Sequence, residues 1–330
     1  MRSRIRLTSV EPVTTMRHMP FQTCGSSAAQ ICGAVLVAGL LGAACRQTAR
    51  DVSPAEARME AEAWRLKHEA DYRRTWVTIA GLHFLDTGTQ WAGSAPSNDI
   101  VLDDGGPAVL GRFTLDGDTV RLEPDPSADV RLKGQPVTAP VVLSDDIPGP
   151  ADELTAGGIR MVVHQSGVRK ALRVWNPEGQ MAKGFLGFAW FEIQPDYRVV
   201  GRFIPDAQPR ALPVINTFGD LDEFTTEGVV EFALQDRTLR LRAFTTAAKR
   251  LYFVFKDVSS GAETYEAARF LYADLRDDGT AVLDFNQAYN PPCAFNPYTT
   301  CPIPLPENRL PVKVLAGEKA YPVHVALPGS

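Results

Sequence analysis

Between Asp284 and Pro311 the chain reads DFNQAYNPPCAFNPYTTCPIPLPENRLP, which sets Asp284, Asn286, Tyr289, Asn290, Glu307, Asn308 and Arg309 beside two cysteines and seven prolines. Prolines restrict the backbone, so such a stretch suits a rigid wall that holds polar side chains still. Tyr265 and Arg269 lie on strand-like segments just upstream, close to Asp257 and Thr264. Two kinds of chemistry fit these residue types. Asp284 or Glu307 could act as general acid or base while Arg269 or Arg309 grips an anionic group, with Tyr265, Asn286, Tyr289, Asn290 and Asn308 as ligand contacts. The competing use is architectural: arginines paired with carboxylates, and asparagines satisfying the backbone of a loop poor in regular hydrogen bonds. Asn286, Asn290 and Asn308 lean to the architectural use; for Arg269, Tyr289, Glu307 and Arg309 the two stand even.

Cys293 and Cys301 enclose seven residues that include Pro297, a loop able to close as a disulfide, and that is the favoured reading; two buried thiols are the other. A thiolate nucleophile at Cys293 would need a base brought by folding, such as His83 or His164. No G-x-S-x-G elbow occurs, and DVSSG at residues 257–261 reads as a turn. Histidines 68, 83, 164 and 324 form no H-x-x-x-H pair and complete no tetrahedral set with the cysteines, so no metal or cofactor is expected. The aromatic run of Phe185, Phe188, Trp190 and Phe191 reads as core packing, with a sugar platform as the minority use.

The elements that would carry these residues are mostly strands. WVTIAGLHFL, GRFTLDGDTVRLEP, IRMVVHQSGVRKALRVW, YRVVGRFI, GVVEFAL, TLRLRAF, RLYFVF, RFLYADL and TAVLDF are β-rich runs split by turn pairs such as Asp116-Gly117, Lys133-Gly134 and Ser166-Gly167. The expected fold is all-β, a sandwich or barrel-like body with one N-terminal amphipathic helix. That helix starts at Ser53, with Pro54 in its first turn and Glu56 completing a capping box. Met59, Ala63, Leu66 and Ala70 form its apolar stripe, extended by Trp64 and Trp76. Clustered Pro, Gly and Asp in DDIPGPAD, residues 145–152, suggest a boundary between a small β unit, 76–148, and a larger one, 149–330.

Ahead of the helix, the uncharged run Ile31 to Ala44 has the length of a signal-peptide core, and Gly42, Ala43 and Ala44 lead into Cys45 like a bacterial lipobox. Residues 1–45 are therefore expected to be an export signal with Cys45 as the lipidated residue, residues 46–75 a tether and docking helix, and Met16 an alternative start. The destination would be the periplasmic side of an outer membrane where the cell has two membranes. At 45% hydrophobic, 22% charged and net charge -5, without basic runs, the chain does not suit nucleic acid, and its membrane contact would be through the lipid alone.

Two resemblances add to this. GSAPSNDIVL with LKGQPV resembles parts of a forkhead-associated domain, a β-sandwich, but the Ser-x-x-His element that family uses around phosphothreonine is absent. The longer run LDFNQAYNPPCAFNPYTTCPIPLPENRLPVKVLAGEK, with SNDIVL, DVSSGAETYEAARFLYADL and the helix leading into WVTIAGLHFL, resembles the bacterial family known as domain of unknown function 1684, from about Met59 to Pro322. The resemblance implies one recurrent unit and no particular reaction. The expected function is that of an exported, lipid-anchored envelope protein binding a small polar ligand or a protein partner. The alternative is a hydrolase or lyase that uses Asp284 or Glu307 on a small anionic or polar molecule.

Overall fold

A computed structural model describes residues 51–103 and 105–323; Cys45, the export signal, the alternative start and His324 lie outside them. The chain enters through helix α1, Pro54–Thr75, whose N-cap Ser53 accepts a hydrogen bond from the Glu56 amide. Ala57, Ala61, His68 and Tyr72 are its buried residues, with Trp64 packed alongside. The stripe expected from hydrophobicity is not the one that docks: Met59 is 69% and Leu66 73% exposed. Two alanines let the helix approach closely and one edge of aromatic rings supplies the contact, so shape rather than summed hydropathy chose the face. No helix among the described residues is long and apolar enough to cross a membrane.

Strands β1 (Ile79–Phe84), β2 (Gly88–Gly93), β3 (Ile100–Val101), β4 (Gly111–Asp116), β5 (Thr119–Pro124), β6 (Val130–Leu132), β7 (Gln135–Pro136), β8 (Val141–Leu143), β9 (Leu154–Ala156), β10 (Ile159–Ser166) and β11 (Arg169–Trp175) build two sheets. Their orders are β1-β11-β10-β9-β6-β7 and β3-β2-β4-β5-β8. The sheets enclose one core that includes Leu110, Phe113, Leu122, Met161, Leu172 and Val174. Lys133 (φ 50) and Gly134 (φ 79) form the two-residue turn between β6 and β7, both in the left-handed region a tight hairpin needs.

The break expected at residues 145–152 falls inside this sandwich. β1 pairs with β11 and β6 with β9 across it, so DDIPGPAD is a loop of the first layered unit. Turn-forming composition marks a loop, and only strand pairing tells whether the sheet continues beyond it.

After a short helix, α2 (Gln180–Gly184), six more strands follow, the first three of them long: β12 (Arg198–Ile215), β13 (Leu221–Leu234), β14 (Arg237–Ala247), β15 (Arg250–Phe255), β16 (Arg269–Asp274) and β17 (Thr280–Asp284). They order as β16-β15-β14-β13-β12-β17, and a bridge between Leu275 and Ala281 brings the two edge strands together into a nearly closed barrel. Period-two alternation sorts the side chains. Leu251, Phe253, Phe255, Leu271 and Ala273 fill the interior, whereas Tyr252, Val254 and Phe270 join the outer cluster under α1 and the loop after β17, with Tyr272 packed against it.

Candidate functional site

A cleft of about 490 Å³ opens between three walls: the outer face of β15 and β16, α1, and the proline-rich loop. Tyr252 and Tyr272 are register partners on the two strands, and their rings stack with centroids 4.7 Å apart. Tyr289, from the loop, lies parallel to Tyr272 at 6.5 Å and edge-on to Phe270 at 5.8 Å. Trp64, His68 and Tyr72 face them from α1, and Pro292, Thr300 and Cys301 close the third side. Lys67, Asp71 and Arg250 also line the cleft.

The electrostatics divide it into a neutral interior and a charged rim. Burial pushes the hydroxyls of Tyr72, Tyr252 and Tyr289 well above the usual phenol range, so they stay protonated donors. Burial also takes the His68 imidazole down to about 3, which leaves it neutral; its Nε2 has no hydrogen-bond partner. At the rim, Arg250 pairs with Asp274 at 2.7 Å while its guanidinium lies 4.9 Å from the Tyr272 ring, and Asp71 accepts from Arg74 at 3.0 Å. Lys67 is exposed.

Of the residues singled out from sequence, Tyr289 is in this cleft and Cys301 is on its wall. Arg269 is fully buried inside the barrel, where its Nη1 donates to Asp257 at 2.7 Å and to the Val314 carbonyl at 3.0 Å, and its Nη2 donates to the Ala316 carbonyl. Asp284 accepts from the Asn286 amide and side chain on one oxygen and from Arg198 at 3.0 Å on the other; burial, opposed by Asn286 and Arg198, raises its pKa. Glu307 lies elsewhere, with Arg242 at 2.5 Å, and Arg309 is exposed. The carboxylates and arginines of the sequence reading therefore do not converge.

The three asparagines serve the backbone. Asn286 exchanges hydrogen bonds with the Gln194 main chain, Asn290 donates to the Lys319 carbonyl, and Asn308 ties the Arg242 backbone to the Val254 carbonyl. The Tyr265 hydroxyl donates to the Cys293 carbonyl at 3.3 Å. Cys293 and Cys301 are buried free thiols, so the disulfide expected from their spacing is not formed; the Cys293 amide instead points at the Cys301 sulfur at 3.4 Å. Packing of Tyr289, Cys293, Ala294, Phe295 and Cys301 into the outer apolar cluster with Tyr72 and Phe270 holds the loop in the crosslink's place.

Sequence reasoning missed the cleft's main body: Trp64, His68, Tyr72, Tyr252, Tyr272 and Thr300. One signal was present. Tyr252 in RLYFVF and Tyr272 in RFLYADL occupy the same alternation phase, a polar-tipped pair on an otherwise apolar outer face.

The family model described as "Protein of unknown function (DUF1684)" matches residues 183–319. The family resemblance is thereby shown over that stretch, which holds the barrel and the proline-rich loop. A solution structure of an uncharacterised protein of Haloarcula marismortui is 28% identical, covering 44% of this chain and 82% of that one, with a TM-score of 0.37. The cytoplasmic domain of the T3SS sorting platform protein PscD of P. aeruginosa is 23% identical, covering 29% of this chain and 79% of that one, at a TM-score of 0.20. No curated protein matches.

Proposed function

We propose that the protein is an exported, lipid-anchored envelope protein whose cleft binds a small molecule with a flat body and oxygen acceptors. The observation that carries this reading is the cleft itself: a 490 Å³ space lined by Trp64, Tyr252, Tyr272 and Tyr289, with Lys67 and Arg250 among its lining residues. Volumes of roughly 300–1,000 Å³ with apolar walls and a few polar groups suit small ligands. Flat rings gain by stacking on Tyr and Trp faces, and oxygen acceptors gain from Lys67 and Arg250. Acid or base work by Asp284 or Glu307 has less support, because each is already engaged by an arginine, Arg198 and Arg242.

Titration of tryptophan fluorescence with para-hydroxybenzoate and related ring acids tests the reading. Saturable quenching is expected, lost in Trp64→Ala and weakened in Lys67→Glu. A panel of such compounds that leaves the fluorescence unchanged would sink it.

A further inference from the structure

The cleft wall at Thr300 continues inward as a chain of hydrogen bonds. His164 Nε2 lies 3.0 Å from Thr300 Oγ1, and His164 Nδ1 lies 2.6 Å from Asp146 Oδ2. The other oxygen of Asp146 accepts from the Gln165 amide at 2.9 Å, which fixes the carboxylate. Arg173 Nη2 approaches Thr300 Oγ1 at 3.3 Å, and Arg173 Nη1 is 3.7 Å from Asp146. The fold sets up this alignment. Arg173 pairs with Val162 and His164 with Ala171 on neighbouring strands, on the face turned away from the Met161, Val163, Leu172 and Val174 core. The proline-rich loop then lays Thr300 over that face.

Donors and acceptors assign the protons. A carboxylate only accepts, so Nδ1 carries the imidazole proton and Nε2 is a bare acceptor. Arg173 only donates, so Thr300 Oγ1 receives its hydrogen bond and sends its own proton to Nε2. Burial lowers the His164 pKa while Asp146 pulls it upward, and the ring is neutral. A hydroxyl bonded to a neutral imidazole that a carboxylate orients is the arrangement of an activated oxygen nucleophile. Thr300 is one of the residues that line the cleft and is only half-buried, whereas His164 and Arg173 behind it are buried.

We propose that Thr300 is the nucleophile of an esterase-type acyl transfer on a small aryl ester seated in the cleft, with His164 as general base and Asp146 as its positioning residue. The proposal rests on the reading of the cleft as a small-molecule site. Thr300 Oγ1 attacks the ester carbonyl and its proton passes to His164 Nε2. The tetrahedral adduct collapses by breaking the carbon–oxygen bond to the aryl group, which leaves with the proton from His164. Water, deprotonated by the same nitrogen, then cleaves the acyl-threonine to the free acid and restores the hydroxyl. Arg173, 3.3 Å from Thr300 Oγ1, is the cation beside the attacking oxygen and eases the loss of its proton to His164.

Hydrolysis of para-nitrophenyl acetate by the purified protein tests this. Release of nitrophenol above the buffer rate is expected, with an acetyl group on the peptide holding Thr300. Thr300→Ala and His164→Gln should each lose at least about a hundredfold, and Thr300→Ser should retain most of the rate. Variants are compared at matched thermal midpoints, so that a fold defect is not read as chemistry. Release at the buffer rate by a protein still quenched by para-hydroxybenzoate overturns the triad and leaves the cleft reading standing. Thr300→Ala at the wild-type rate also overturns it. Failure of quenching would strike the cleft reading instead.

Discussion

The imidazole of His68 and the indole of Trp64, one turn apart on α1, stack with centroids 4.6 Å apart and planes 13° from parallel. Tyr289 presses on the same imidazole from the loop side at 4.6 Å. The ring is thus held between aromatic neighbours that cannot solvate a charge, which is why burial takes its pKa from 6.5 to about 3. An unfolded imidazole takes a proton below 6.5, and the folded one not until about 3. Stability is therefore whole above pH 6.5 and falls as pH drops toward 3. His68→Phe should flatten that acid limb in urea melts taken from pH 7 to pH 4; an unchanged limb would mean that the ring is not held neutral.

Arg269 and Asp257 form an ion pair with both side chains fully buried. Removing one partner strands the other charge, so Arg269→Ala should cost roughly 3–5 kcal/mol in urea unfolding. Arg269→Met combined with Asp257→Leu should cost far less than the sum of the two single changes. Additive losses would show that the pair is not the reason for the cost.

Glu318 is buried and accepts from the Asn290 amide at 2.8 Å, and burial pushes its carboxyl from 4.5 up to about 8. An unfolded chain gives up this proton near 4.5 while the folded one keeps it to about 8. The group's stabilising effect is therefore full below 4.5 and is lost as pH rises through 8. At about 1.4 kcal/mol per pH unit the ceiling on this loss is about 5 kcal/mol. Glu318→Gln should raise the melting temperature most above pH 8 and little at pH 4.

Cys45→Ser checks the proposed anchor. Membrane-fraction recovery should fall and soluble protein should rise in cells of a lipoprotein-processing host. Equal partition of the two forms would reject lipidation at that residue.

How much of this was legible depended on range. Alternation in RLYFVF, RFLYADL and TAVLDF names strands without reference to the rest of the chain, and the Ser53 to Glu56 cap is local too. Arg269 was also readable in principle: it shares its phase with Leu271 and Ala273, both interior, and so faced the barrel core rather than a ligand. The docking face of α1 was not readable, because Ala57 and Ala61 score lower than Met59 and Leu66 until the facing surface is known. The cleft joins α1, β15, β16 and a loop more than 200 residues from α1, and the Asp146, His164 and Thr300 alignment ties that loop to two further segments. No spacing rule within one stretch reaches such pairs, which only strand pairing and loop packing create.

Asp51, just ahead of α1, is held by Arg198 Nε and Nη2 at 3.0 Å each and by Arg276 at 2.9 Å. In mechanical terms this is a clamp. Three charge-assisted bonds to the barrel fix the chain at Asp51, two residues ahead of Ser53 and the first turn of the helix. The leading end of α1 is thereby clamped to the barrel, and with it the helix that holds Trp64, His68 and Tyr72 across the cleft.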